Sequence, residues 1–260
     1  MISASNTNSE GDLKEIGPSP FVVTADYNPS TNRGQPHMSI WNATARNIVR
    51  NNGSLPNEAN DAVRTAQSPY MVGLSERLLI QTTSALPWMW RRICFTFRGD
   101  YFRNINSGDP TPGIGYSTWS LLTTGPARQF YDLALELPST QEAFINVIFK
   151  GQHNADWTDL MTAKVDTRVV SLRYDKVFKV HTGNDSSYFN RRKLWMPMNK
   201  TLMYESDESG DTIIDSAYSV DSKGGLGDYY VVDIVVPGFG GTATDAILID
   251  SNATLYWHER

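Results

Sequence analysis

The stretch "RYDKVFKVHTGNDSSYFNRRKLWMP" (173–197) holds an aromatic and β-branched run, a polar turn-rich segment and the start of a second apolar run. That order predicts a strand, a loop and a strand, because β-branched and aromatic residues favour strands while Gly, Asn, Asp and Ser favour turns. The loop is expected to end in Arg191, Arg192 and Lys193, beside Tyr188, Phe189 and Trp195. Outward from it the theme recurs at 70–83, 89–99, 128–137, 144–151, 168–180, 194–204, 229–238 and 246–259. A shorter strand is expected in "PFVVTADYNP", between Pro20 and Pro29. No helical periodicity lasts longer than about a dozen residues.

Strands of this length, joined by connections of very unequal length, suit an all-β, eight-stranded jelly-roll sandwich better than an immunoglobulin-like one. Long loops and one or two short helices complete the expectation. "PSTQEAF" pairs Ser139 with Glu142 at capping-box spacing. "HNADWTDLMTAKVD" offers Asn154 or Asp156 as a cap, and "SIWNATARNIV" has room for a turn or two of helix. The run 128–137 also fits a helix. Residues 1–19 are polar and without apolar periodicity, which predicts a flexible arm. Residues 20–260 are expected to form a single domain.

A hydrophobic content of 40% is ample for a packed core. The formal charge of −5 excludes a protein coated in positive charge, so any grip on a polyanion must be local. Cys94 is the one cysteine, so no internal disulfide can form, and alternation turns it inward. The first residues lack the charged and apolar regions of a signal peptide, and no stretch approaches the roughly 20 apolar residues of a membrane span. A soluble protein is expected.

Catalytic patterns are missing. His37, His153, His181 and His258 are scattered without a metal-ligand spacing. "SKGGLGDYY" and "PGFGGTATD" lack the ending and context of a phosphate loop and read as tight connections. Asp207, Glu208 and Asp211 could offer oxygens to Ca²⁺, but the regular spacing is missing and a solvated hairpin tip is the plainer reading. No catalytic residue, cofactor or catalytic metal is expected.

The basic and aromatic clusters remain. Guanidinium and ammonium groups pair with phosphates, and aromatic rings stack on unpaired bases. Arg191, Arg192 and Lys193 are therefore the candidate DNA contacts, with Arg91 or Arg92 secondary and Tyr188, Phe189 or Trp195 as stacking surfaces. Arg91 and Arg92 are adjacent and point to opposite faces of their strand.

"VVSLRYDKVFKVHTGNDSSYFNRRKLWMPMNKTLMYESDESGD", "SAYSVDSKGGLGDYYVVDI" and the terminal "TLYWHER" together resemble the capsid proteins of genomoviruses, circular single-stranded DNA viruses related to geminiviruses. "MVGLSERLLIQTTSALPWMWRRICFTFRG" (71–99) is similar to the same family. The resemblance implies a non-enzymatic jelly-roll subunit that assembles with copies of itself into a T=1 icosahedral shell around single-stranded DNA. It also implies a place in the virion, and in the host nucleus during assembly. Such proteins usually begin with a basic arm that serves nuclear import. This chain begins "MISASNTNSEGDLKE" and has no such run: either the arm, through which host import factors would be met, was removed or lies outside the numbered chain, which is the expectation, or the folded interior alone packages the DNA. The competing class is a free-standing jelly-roll carbohydrate-binding module or hydrolase using Trp88, Trp90 and Asp100.

Overall fold

The computed structural model describes residues 1–25, 27–28, 33–34, 36–48, 63–112, 116–210 and 212–259. In chain order its main elements are β1 (Ser3–Thr7), β2 (Leu13–Pro18), β3 (Phe21–Thr24), β4 (His37–Asn42), β5 (Tyr70–Thr82), β6 (Trp88–Phe97), β7 (Arg128–Phe130), α1 (Leu133–Glu136), α2 (Pro138–Ile148), β8 (Ser171–Val180), β9 (Phe189–Thr201), β10 (Asp228–Pro237) and β11 (Ala246–His258). One four-stranded sheet has the order β9-β5-β11-β3 and the other β8-β6-β10-β4, and every pairing within them is antiparallel. Along the chain the eight strands alternate between sheets, except that β6 and β8 are neighbours in one. This is the connectivity of a jelly roll.

The eight sandwich strands are not all those the sequence marks. Residues 144–151 end α2 rather than form a strand, and 128–137 divides into β7 and α1. The eight are completed by β3, the shorter strand expected after Pro20, and by β4, which the sequence does not mark and which runs into the place where a turn of helix is expected in "SIWNATARNIV". β4 is buried along its whole length, and a strand covered on both faces shows no alternation to read. "HNADWTDLMTAKVD" forms turns instead of a helix: Asn154 has a φ of 64°, and the Trp157 carbonyl accepts from the Asn154 amide at 2.8 Å.

Between the sheets lie two apolar clusters. Trp41, Leu74, Cys94, Met196 and Tyr229 form one; Phe21, Ile80, Trp88, Trp90, Phe178 and Ile249 form the other. Cys94 is free and buried, and burial pushes its thiol up to about 12. The far face of the β8-β6-β10-β4 sheet is also covered. Ile40, Ile93, Phe95, Tyr230 and Val232 pack there against Phe102, Leu133, Phe144, Ile148, Phe149 and Leu160 from the long connection between β6 and β8.

Residues 1–19 are not a flexible arm. β1 pairs with β7 in parallel and with β2 antiparallel, and it is buried throughout. Its polar composition misleads because its side chains are satisfied inside. Ser3 Oγ donates to the Ser251 carbonyl at 3.1 Å, Asn6 Oδ1 accepts from the Asp132 amide at 2.8 Å, and Thr7 Oγ1 accepts from the Val22 amide at 3.0 Å. A buried polar group with a partner costs little.

α2 buries Thr140, Gln141, Phe144, Ile145 and Ile148 on one face, and Pro138 stands at its start. Ser139 does not cap it. The cap comes from the connecting loop: Asp109 accepts from the Ser139 amide at 2.9 Å and from the Thr140 amide and hydroxyl at 2.6 Å each. Burial would push the Asp109 carboxyl up, but these bonds outweigh it and hold the group below the ordinary carboxylate range. Asp109→Ala should therefore cost about 1 kcal/mol in urea unfolding, the usual cost of a lost cap. With a depressed pKa, the Asp109 contribution is present above the ordinary carboxylate value and lost as pH falls through the lower folded value. The difference between wild type and variant should shrink in acid.

Candidate nucleic-acid interface

The basic triplet lies within β9, not in the preceding loop, which ends at Tyr188. β9 is an edge strand, so its residues alternate between an open face and the sandwich interior. Phe189, Arg191, Lys193 and Trp195 stand outward in one row; Phe189 is 65% and Trp195 50% exposed. Arg192 points the other way. It is half-buried, with its guanidinium carbon 4.8 Å from the Phe178 ring centre. Tyr188 is half-buried beside it, packed on the inner cluster, and its hydroxyl accepts from Asn190 at 2.8 Å. The three consecutive cations thus form two sites, of which the open one holds Arg191 and Lys193.

β5 adds a residue that the sequence reading misses. Arg77 is directly opposite Lys193, and Leu79 is opposite Arg191. Directly opposed side chains on one face have Cβ atoms about 4.5–5.5 Å apart, and like charges in such a pair repel. Among the described residues, no carboxylate lies within 4 Å of Arg77, Arg191 or Lys193. On β11, Asn252 faces Arg77 and Asp250 faces Leu79, so within this open patch Asp250 stands against Arg77, Arg191 and Lys193. Both edge strands on this side are basic: residues 171–201 hold seven Lys and Arg against two Asp.

Trp195 reaches across β5 towards Tyr256 of β11, with ring centres 5.8 Å apart and the planes inclined by 57°. Gly73 makes that approach possible, since a Cβ there would lie 2.7 Å from Trp195 Cζ2. The open face therefore presents a row of cations bracketed by aromatic rings. That arrangement can hold phosphates and stack bases without selecting a sequence. Alternation predicts one face for Phe189, Arg191, Lys193 and Trp195, but the register that brings in Arg77 and Tyr256 is set by long-range pairing.

Arg91 and Arg92 are not available as secondary contacts. Arg91 is buried under the long connection, donating to Asp175 at 2.8 and 2.7 Å and to the Leu160 carbonyl at 2.6 Å. Arg92 is fully enclosed between the sheets with Glu76, Asp233 and Arg128, all four without exposure. Arg92 Nε donates to Asp233 at 2.8 Å and its Nη1 to Glu76; Arg128 Nε donates to Glu76 at 2.9 Å and its Nη2 to Asp233. Trp90 Nε1 also donates to Asp233 at 2.7 Å and Ser251 Oγ to Glu76 at 3.0 Å. Two cations and two anions close a neutral square. Burial would push the Asp233 carboxyl up, but the Arg92 and Arg128 guanidiniums hold it below the ordinary carboxylate range.

The other candidates also resolve. Trp88 and Trp90 are buried, and Trp90 stacks on Phe178 with ring centres 4.6 Å apart, so neither offers a sugar platform. Asp100, exposed, precedes a short 3-10 turn at Tyr101–Arg103. Asp207 opens a small hairpin, Asp207–Ser209 with Thr212–Ile214, while the side chain of Glu208 and the whole of Asp211 lie outside the described residues. Among the described residues no group of three or more His, Cys, Asp and Glu could hold a metal ion. No protein-family model and no curated protein matches the chain.

Proposed function

We propose that this chain is the coat subunit of a small closed shell around single-stranded DNA, and that the open face of the β9-β5-β11-β3 sheet is turned towards the DNA. The observation that carries the proposal is the asymmetry of the sandwich. One sheet is sealed on its far side by the connection between β6 and β8, whereas the other keeps Arg77, Arg191, Lys193 and Trp195 uncovered. Cations without a carboxylate partner among the described residues, two of them, Arg77 and Lys193, directly opposed, favour a polyanion, which removes their mutual repulsion. The same few cations, repeated on every copy around a shell, add up to a continuous basic lining although each chain is acidic overall. The resemblance to genomovirus capsid proteins points the same way and adds the T=1 arrangement, the virion as the protein's place and assembly in the host nucleus.

Assembly of this kind rests on many moderate contacts between copies rather than on one strong pair. The long segments at about 28–68, 104–126 and 205–227 are proposed to form such contacts or the outer surface, since long loops on a rigid sandwich commonly carry function; residues 29–32, 35, 49–62, 113–115 and 211 of them lie outside the described residues. Nuclease treatment of the purified protein tests the DNA role. Single-stranded DNA that survives digestion and co-elutes with the protein is the expected result; assembled protein without nucleic acid at any salt concentration would refute it.

A further inference from the structure

The sealed sheet ends in β8, which has one open edge. β8 is bonded to β6 along one side, and among the described residues nothing pairs with the other. Leu172 is 36% and Val177 39% exposed, and Arg173, Lys176 and Lys179 are exposed with them. An open edge is a row of unpaired amides and carbonyls, a template for another strand. Charged side chains usually blunt such an edge. On β8 they also decide which strand fits it.

A strand that pairs antiparallel with its own copy does so about a two-fold axis, so one residue meets itself and its neighbours cross over. Centring β8 on Arg173, Asp175, Lys176 or Lys179 sets like charges face to face, which repels. Centring on Leu172 or Tyr174 draws in the register shift between those two residues. Centring on Phe178 puts Asp175 opposite His181, beyond the end of the strand. Centring on Val177 sets Asp175 against Lys179 of the other copy twice, once on each side of the axis. Asp175, Val177 and Lys179 alternate onto one face, the far face on which Asp175 holds Arg91. An apolar contact of Val177 with its own copy thus stands between two pairs of opposite charge.

We infer that two copies of this chain pair through β8, antiparallel about a two-fold axis at Val177, so that their β8-β6-β10-β4 sheets join into one continuous sheet. The inference rests on the reading that copies of the chain assemble, and it names one contact of that assembly. The contact is isologous, with the same patch used on both copies, and so supplies the two-fold axis of the proposed shell. It involves one strand of each copy, which suits a weak pair that the other contacts of a shell reinforce. The cation row on β9 stays free for DNA, since β9 belongs to the other sheet.

Cysteine crosslinking of the full chain tests it. Val177→Cys, Arg173→Cys and Lys179→Cys are each oxidised with copper phenanthroline and read on a denaturing gel without reductant. Wild type is the blank, because its one cysteine, Cys94, is buried. Directly opposed Cβ atoms stand about 4.5–5.5 Å apart, near the disulfide span of about 3.5–4.5 Å. Val177→Cys should therefore give a covalent dimer and nothing larger. The thiols of Lys179→Cys would lie about 13 Å apart along the strands, and those of Arg173→Cys further still, so both should remain uncrosslinked. Adding Lys179→Glu to Val177→Cys opposes two carboxylates on each side of the axis and should slow the crosslink about tenfold. Lys179 makes no ion pair in its own chain among the described residues, so this change leaves the fold intact. Faster crosslinking at Arg173→Cys or Lys179→Cys, or a Val177→Cys rate indifferent to Lys179→Glu, would overturn the pairing. Particles seen by light scattering without a Val177→Cys crosslink would overturn it alone and leave the shell reading standing; monomers without a crosslink would end both.

Discussion

Asp233→Ala should destabilise the protein by about 3–5 kcal/mol, the cost of removing one partner from a buried ion pair. The substitution leaves Arg92 and Arg128 enclosed with Glu76 as their one remaining carboxylate, and leaves Trp90 Nε1 without its acceptor. The square also joins parts distant in sequence: Glu76 is on β5, Arg92 on β6, Arg128 on β7 and Asp233 on β10. Its loss loosens both sheets and the middle of the connection that covers one of them, where β7 lies. Urea unfolding checks the magnitude. A matched control replaces all four residues with apolar ones of similar volume, which should come within about 1–2 kcal/mol of wild type, because a buried ionic cluster often contributes little net stability over good apolar packing. An Asp233→Ala cost below about 1 kcal/mol would contradict the enclosed square, since an uncompensated buried charge cannot be that cheap. Acid should act in the same direction. Asp233 has a depressed pKa, so its contribution is present above the ordinary carboxylate value of about 3.9 and is lost as pH falls through the lower native value.

Replacing Arg77, Arg191 and Lys193 together with alanine should remove most of the bound DNA while leaving the fold unchanged. All three are on the open face and none has a carboxylate partner among the described residues, so their loss breaks no ion pair. Removing the repulsion between Arg77 and Lys193 should even stabilise the free chain slightly. If each cation neutralises one phosphate of a single strand, the slope of log K against log salt should become shallower by about 2. Arg192→Ala gives the contrast. Because Arg192 packs on Phe178 towards the interior, its loss should lower stability more than it changes the salt slope. Equal salt slopes for wild type and the triple variant would show that the phosphates lie elsewhere.

The architecture is legible where long apolar runs stand out, whether they alternate, as in β5 and β11, or are buried on both faces, as in β6 and β10. β3, β5, β6, β8, β9, β10 and β11 are all marked by β-branched and aromatic runs between turn residues, and a jelly roll follows from their lengths and unequal spacing. Three regions misled for identifiable reasons. β4 is buried throughout but is only six residues long and mixes His37, Ser39 and Asn42 with its apolar residues, so neither alternation nor a long apolar run marks it. α2 carries Phe144, Ile145, Val147 and Ile148, a β-favouring run whose helix is fixed by Pro138 and by Asp109, thirty residues earlier. β1 is built of Ser, Asn and Thr, and only tertiary hydrogen bonds reveal it as core. The candidate site divided similarly. Its basic triplet was evident, but strand or loop decided whether it formed one patch or two. Arg92 looked like a contact and proved to be interior, because its partners Glu76, Arg128 and Asp233 are distant in sequence.

The central claim, that copies of this chain close into a shell, is tested most directly by negative-stain imaging and light scattering of the purified protein, with absorbance at 260 and 280 nm read across the same peak. The account predicts hollow particles of one diameter, with nucleic acid in the wild-type particles and little in the Arg77, Arg191 and Lys193 variant. A species that stays monomeric across salt and pH, with and without added single-stranded DNA, would contradict it.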